Sequence, residues 1–457
     1  MKEWLERLIA RAWNGRRRRQ PVRSDRSLDL GAICSESGAN AGRLTIAQDR
    51  RAEHIAILGK TGSGKSFLIR YLARQDIAAG RGLCCFDLHG DLTPYLLGSI
   101  AEREQATGAD LSEKTVVIEP SDPEYSVGLN PLEDQPGGNR FVQIAEFSQL
   151  LKQRWQLDTF GARTDELLRN ALFVLAENGL TLLEAAPLLG NAAFRASCLR
   201  NLTNAEVRQY FDLRYDQASE AMRAVMREPI LNKISTFTAD PRFRSIIGQQ
   251  HSTFSIVEAM DRGQWVILNL HKGLLGEQAA TLGSLLLTKI KNALFARANR
   301  RLFTIYADEM QNLVSYGSLE TMLSEARKFG VGVVSANQFL DQYPPDMRAA
   351  IMAVGTHVLF QLSTHDGQHV AAALDGGKSL GEILKNLPRR HMVVKTGSER
   401  WHEAVVPTVA DPKANWMDLY ARCRERWARK RTEIEAEIAR RQAAATQTSK
   451  DVLNDWD

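Results

Sequence analysis

Short runs of apolar, β-prone residues recur along the chain: Ile55–Leu58, Leu83–Phe86, Thr115–Ile118, Trp265–Leu270, Leu302–Ala307, Val331–Ala336, His357–Leu362 and Met392–Lys395. Several are apolar at nearly every position, the pattern of parallel strands covered on both faces. Helical stretches separate them, so the pattern predicts an α/β fold on a mostly parallel sheet. Between Ile118 and Trp265 the rhythm changes. Apart from a turn-rich stretch around Asp122–Pro136, the period is helical, with Leu167, Leu168, Ala171, Leu172, Val174 and Leu175 on one face. This predicts an all-α domain inserted between two sheet strands, its edges marked by Pro136-Gly137-Gly138-Asn139 and Asp240-Pro241.

The ends read differently. Trp4, Leu5, Leu8, Ile9, Ala12 and Trp13 share one helical face, and Arg16–Arg19 with Pro21 break it, giving an amphipathic helix and a basic arm. Near the other end Trp416, Leu419, Tyr420, Cys423 and Trp427 form a helical stripe, followed by a charged stretch to Arg441 and a polar tail expected to be disordered. The expected division is therefore 1–42, helix and arm; 43–139, first part of the α/β core; 140–250, the all-α domain; 251–410, second part of the core; 411–457, C-terminal helix and tail.

Charge and composition narrow the picture. The 457 residues carry a formal charge of +5. Residues 1–26 hold nine Lys or Arg against three acids, a net +6, which leaves the rest at about −1. The body is thus not broadly basic, and a grip on nucleic acid would use local loops or the arm. No apolar run approaches the roughly 18–20 residues that span a bilayer, and no signal-peptide pattern opens the chain. The five cysteines form no CxxC pair, which fits a reducing cytoplasm.

The chemistry begins at Gly59-Lys60-Thr61-Gly62-Ser63-Gly64-Lys65-Ser66, a full GxxxxGK[ST] match between an apolar strand and a helix. Glycines let the backbone amides face phosphate, and the helix N-terminus adds positive potential. Lys65 would reach the β- and γ-phosphates of ATP, and Ser66 would ligate Mg2+. Asp308 and Glu309 end the strand Leu302–Ala307: Asp308 would hold the magnesium shell and Glu309 would act as general base on water. Gln338 follows the strand Val331–Ala336, where it could contact the γ-phosphate or the attacking water, or cap backbone groups. Arg327 precedes that strand, badly placed for its own nucleotide. It is either an arginine finger for a neighbour's nucleotide or a surface ion pair with Glu320 or Glu325. Asp87, His89 and Asp91 follow Leu83–Phe86 and are too few and wrongly typed for a metal site, though they could shape the γ-phosphate pocket or start a loop toward a pore.

These pieces together resemble the HerA/FtsK class of P-loop motors, most nearly the conjugative coupling ATPases of type IV secretion and their soluble HerA-like relatives. The resemblance rests on His54–Ser66, Phe86–Leu92, Asp308–Leu313 and Leu323–Gly330 running into Ala336-Asn337-Gln338, with softer similarity at Gly128–Leu132 and Leu268–Gly273. It spans about residues 43–400. It implies a RecA-like core in a hexameric ring, nucleotide between subunits, and DNA through a central channel. It also implies Arg327 as the trans finger and Gln338 as polar sensor. The function so implied is an ATP-driven DNA translocase. A ring ATPase for protein secretion or remodelling, or a HerA-like motor working with a nuclease in DNA processing or defence, are the alternatives. A relaxase, nuclease or secretion channel would be the protein partner. Lys272 and Lys378, with the loops His89–Pro94 and His271–Gly276, are the expected DNA contacts. Membrane-bound coupling proteins carry N-terminal transmembrane helices and HerA proper an N-terminal β-barrel. This chain shows neither pattern, though the roughly 40 residues between the arm and the P-loop leave room for a strand or two. Residues 1–26 suit an anionic inner-membrane surface, DNA or a neighbouring subunit.

Overall fold

The computed structural model describes residues 27–34, 40–135, 137–313 and 318–454. The amphipathic helix and arginine run expected within residues 1–26 lie outside them. The strands are β1 (Ser27–Cys34), β2 (Asn40–Ala47), β3 (Ile55–Leu58), β4 (Gly82–Asp87), β5 (Thr115–Ile118), β6 (Tyr125–Ser126), β7 (Trp265–Asn269), β8 (Phe303–Asp308), β9 (Val331–Asn337), β10 (Thr356–Leu359), β11 (His391–Thr396), β12 (His402–Val405) and β13 (Arg429–Lys430).

Eleven of them form one sheet in the order β2-β1-β12-β11-β10-β3-β9-β8-β4-β7-β5. From β10 to β5 every pairing is parallel. From β10 outward through β11, β12, β1 and β2 every pairing is antiparallel. Successive side chains of the inner strands enter two separate cores. Ala56 and Leu58 of β3, with Cys84 and Phe86 of β4, join one cluster; Ile55, Ile57, Leu83 and Cys85 join the other. That two-sided burial is why these strands read as continuous apolar runs.

Helix Lys65–Ala79 covers one face through Leu68, Ile69, Leu72 and Ala73, beside helices Leu92–Thr107 and Met417–Trp427. Helix Gln278–Leu294 covers the other through Leu282, Leu285, Leu286 and Ile290. Between β6 and β7 the chain is helical from Arg140–Arg154, capped by the Asn139 side chain, to Ile256–Arg262.

Two segments depart from the sequence expectation. The hairpin β1–β2 begins within residues 1–42, expected as helix and arm, yet belongs to the main sheet: Leu28 and Leu30 are fully buried, and Gln75 of the P-loop helix exchanges two 2.9 Å hydrogen bonds with the Asp29 backbone. The polar tail expected to be disordered after Arg441 instead continues a helix, Arg431–Asn454. Ile434 and Ile438 pack on Leu183, Arg441 pairs with buried Glu184 at 3.1 Å, and Asn191 Nδ2 donates to the Ala445 carbonyl at 2.9 Å. Tertiary contacts with the helical segment therefore hold a sequence of low intrinsic patterning. No helix among the described residues is long and apolar enough to cross a membrane.

Candidate active site

The carboxyl ends of three adjacent parallel strands, β3, β9 and β8, converge, which is where open α/β sheets place ligands. From β3 the chain enters Gly59–Ser66. Gly64 has φ 127°, outside the range of other residues, and a Cβ there would come within 3.2 Å of the Arg390 α-carbon. The helix that follows has no side-chain N-cap, so its first-turn amides are left to an anion. Lys65 is buried, with Nζ donating to the carbonyls of Gly59 (2.7 Å) and Lys60 (3.2 Å). Burial lowers its pKa, and the charges of Asp308 and Glu309 oppose that shift.

From β8 comes Asp308, whose Oδ2 accepts the Ser66 hydroxyl at 2.8 Å. Burial raises its carboxyl pKa, and the Ser66 bond and the Lys65 charge pull it back. A hydroxyl and a carboxylate converging beside a buried ammonium suit a magnesium–triphosphate, since Mg2+ takes oxygen ligands and phosphate oxygens. The buried Ser63 hydroxyl has no hydrogen-bond partner among the described residues, consistent with a loop built to receive further acceptors.

Glu309 leaves the strand in the left-handed conformation, φ 57° and ψ 46°, at a cost of roughly 1–2 kcal/mol for a residue with a Cβ. The turn is held by its surroundings. Glu309 N donates to Asp308 Oδ1 at 3.1 Å, Gln338 Nε2 to Glu309 Oε1 at 2.9 Å, and Gln311 Nε2 to Oε2. Gln338 in turn accepts from Thr61 Oγ1 at 3.0 Å, so one amide joins P-loop and acid. Behind it, Asn337 Nδ2 donates to Gln311 Oε1, and Tyr343 OH donates to Asn337 Oδ1 at 2.6 Å. The sequence assigns no role of their own to Gln311 and Asn337, which it shows only within the strand-end stretches, or to Tyr343. Their one signal there is position, as polar residues just past strands that end beside the P-loop.

The structure thus brings together Lys65, Ser66, Asp308, Glu309 and Gln338, and leaves Arg327 elsewhere. Arg327 lies at the opposite end of β9, about 23 Å of strand from Gln338 at roughly 3.3 Å per residue. It is exposed and pairs with Glu53 at 3.0 Å; Glu325 is taken by Lys328 at 2.8 Å. Asp87 organises backbone: its carboxylate accepts the amides of His89, Gly90, Leu92 and Thr93 and the Thr93 hydroxyl, and so starts helix Leu92–Thr107. Asp91 pairs with Arg70 at 2.7 Å. The loops His89–Pro94 and His271–Gly276 are packed together, with Gly90 against the His271 ring and Lys272 N donating to the Leu88 carbonyl at 2.9 Å. Lys272 pairs with Glu277 at 3.3 Å. Lys378, on helix Gly377–Asn386 after β10, lies toward the other flank of the sheet.

Residues 43–290, more than half of the chain, match the family described as Helicase HerA, central domain. No curated protein sequence matches. Among solved structures, the unbound bacterial conjugative coupling protein TrwB is similar at 16% identity and TM-score 0.58, over 84% of this chain and 91% of that one. TrwB in complex with ADP and Mg2+ is similar at 16% identity and TM-score 0.56, over 85% and 97%. VirB4 of Thermoanaerobacter pseudethanolicus is similar at 16% identity and TM-score 0.53, over 84% and 97%. At these identities the likeness is one of fold.

Proposed function

The chain belongs to the HerA helicase central-domain family, and on that premise we propose that it is an ATP-driven motor that assembles as a hexameric ring and moves DNA through its channel. The protein is a P-loop ATPase, and the pairing of Ser66 with Asp308 beside Lys65 supports ATP and Mg2+ as its ligands. The observation that carries the rest is the split in the site. Lys65, Ser66, Asp308, Glu309 and Gln338 share one end of the sheet, while Arg327 stands at the other, exposed beside its ion-pair partner Glu53, where a second subunit's nucleotide could meet it.

In this reading Lys65 and the loop amides hold the β- and γ-phosphates and orient the terminal phosphoryl group. Ser66 and Asp308 would hold magnesium, which would supply positive charge against the triphosphate. Glu309 takes the proton of the attacking water, and the Gln338 and Gln311 amides fix its carboxylate for that step. Gln338, bonded to both Thr61 and Glu309, senses whether the P-loop is filled. Arg327 of one subunit stabilises the charge that develops at the site of the next. The helical segment 140–250, whose core is continuous with one face of the sheet, is the inserted all-α domain of this reading, and the paired loops after β4 and β7 face the DNA backbone. Relaxase, nuclease or secretion-channel partners and a peripheral contact of residues 1–26 with the inner membrane belong to the same reading.

The test is steady-state ATPase against DNA of increasing length. The motor reading expects stimulation that grows with length and weakens with salt, since backbone contacts release counterions. A rate indifferent to DNA of any length would instead favour a ring that acts on protein.

A further inference from the structure

We propose that His54 is a positioning residue that holds the arginine one subunit offers to the next. The inference rests on the reading of Arg327 as acting in trans. His54 has φ 69° and ψ 161°, a backbone region that is essentially glycine's alone, and it is buried. Strain of that kind persists where the surroundings enforce it.

The ring shows what enforces it. His54 Nδ1 accepts the Val333 amide of β9 at 3.1 Å, so the ring proton sits on Nε2, which donates to the Leu323 carbonyl at 2.8 Å. Burial keeps this ring neutral, lowering its pKa to about 4, and the nearby Arg327 charge acts in the same direction. Leu323 belongs to helix Ser318–Glu325, and the turn Ala326–Phe329 that carries Arg327 follows at once. One imidazole thus ties the finger-bearing segment to the sheet. The preceding residue, Glu53, receives the Arg327 guanidinium itself, and its carbonyl accepts the Gly355 amide at 2.6 Å.

The base of this strut is fixed as well. Arg51 is fully buried and donates to both oxygens of Asp76 on the P-loop helix (2.7 and 2.6 Å). It also donates to Thr304 at 2.9 Å and Tyr306 at 3.2 Å on β8. His54 therefore stands on a turn locked to the catalytic strands, at the start of the strand whose other end is the P-loop. A defect there should be exported: the subunit keeps its own nucleotide pocket and loses its competence as a neighbour.

His54→Gly tests this, because glycine accepts the φ of 69° and only the ring is lost. His54→Gln, whose amide can both accept and donate, serves as the conservative variant. Rings of His54→Gly should bind a fluorescent ATP analogue within about twofold of wild type, while ATPase falls about tenfold or more. His54→Gln should recover part of that loss. In 1:1 mixed rings with Lys65→Ala, which lacks a working pocket but keeps its finger, activity should return. About a quarter of interfaces would pair an intact pocket with an intact finger if subunits mix at random. Mixtures of His54→Gly with Arg327→Ala should stay inactive, since neither subunit offers a finger. Wild-type turnover of His54→Gly, recovery with Arg327→Ala, or no recovery with Lys65→Ala would overturn the inference. The Arg327→Ala and Lys65→Ala mixture separates the two claims. If that pair fails to complement, the trans reading itself falls; if it complements and His54→Gly with Lys65→Ala does not, only the role of His54 falls.

Discussion

Replacing Glu309 by Gln keeps the shape of the side chain and removes its charge and its capacity to take a proton. In the native site Oε1 accepts from Gln338 Nε2 at 2.9 Å and Oε2 from Gln311 Nε2. A glutamine can satisfy one of these donors with its oxygen and presents an NH2 group to the other. The groups that would hold nucleotide and metal, Lys65, Ser66 and Asp308, are untouched. A positioned general base contributes roughly 10²–10⁴-fold, so kcat should fall by about that factor, or about 3–5 kcal/mol of barrier. Affinity for a fluorescent ATP analogue should stay within about threefold, which is less than about 1 kcal/mol. Steady-state ATPase at saturating ATP, single-turnover hydrolysis and equilibrium binding together make the assay. If Glu309→Gln turns over within about threefold of wild type, another group takes the proton and the assignment fails.

Further outcomes follow from other contacts. Gln338→Ala cuts the link between Thr61 and Glu309 and should lower kcat about tenfold or more with little change in KM; an effect confined to KM would contradict a role in the chemical step. Arg51→Met leaves the fully buried Asp76 with Arg81 as its remaining cation and should destabilise by about 3–5 kcal/mol in urea unfolding. A loss under about 1 kcal/mol would show that Arg81 suffices. His54, neutral when folded, has a pKa of about 4 against 6.5 for the free side chain. The unfolded chain therefore binds the proton first as pH falls, so its contribution is complete above pH 6.5 and lost on the way down to pH 4. The loss amounts to about 3 kcal/mol at most. Unfolding curves of wild type and His54→Gln should converge across that window; parallel curves would refute it.

Much of this architecture was legible in the sequence, for physical reasons that differ by segment. Inner strands such as β3 and β4 are buried on both faces, so their sequences are apolar throughout and stand out. The P-loop is legible because a backbone that curls round phosphate needs glycines at set spacing. The antiparallel flank is less visible. β1 alternates Leu28 and Leu30 with Asp29 and Gly31, and its place comes from pairing with β12 and from Gln75, all remote in the chain. The same holds for the tail, whose helix depends on Leu183 and Glu184. Within the site, Lys65, Ser66, Asp308 and Glu309 follow from motif and strand context. Gln311, Asn337 and Tyr343 do not, because a polar residue past a strand end carries no period. Their relation to Glu309 exists only once β8 and β9 lie side by side. Arg327 was placed correctly away from its own P-loop, but its ion-pair partner is Glu53, not Glu320 or Glu325.

The claim that this ATPase is a motor on DNA is tested most directly by displacement of streptavidin from end-biotinylated DNA, single- and double-stranded, in the presence of ATP. Displacement should require hydrolysis, be lost in Glu309→Gln, and proceed on at least one of the two substrates. An enzyme that hydrolyses ATP at full rate on both DNAs and displaces from neither would contradict it.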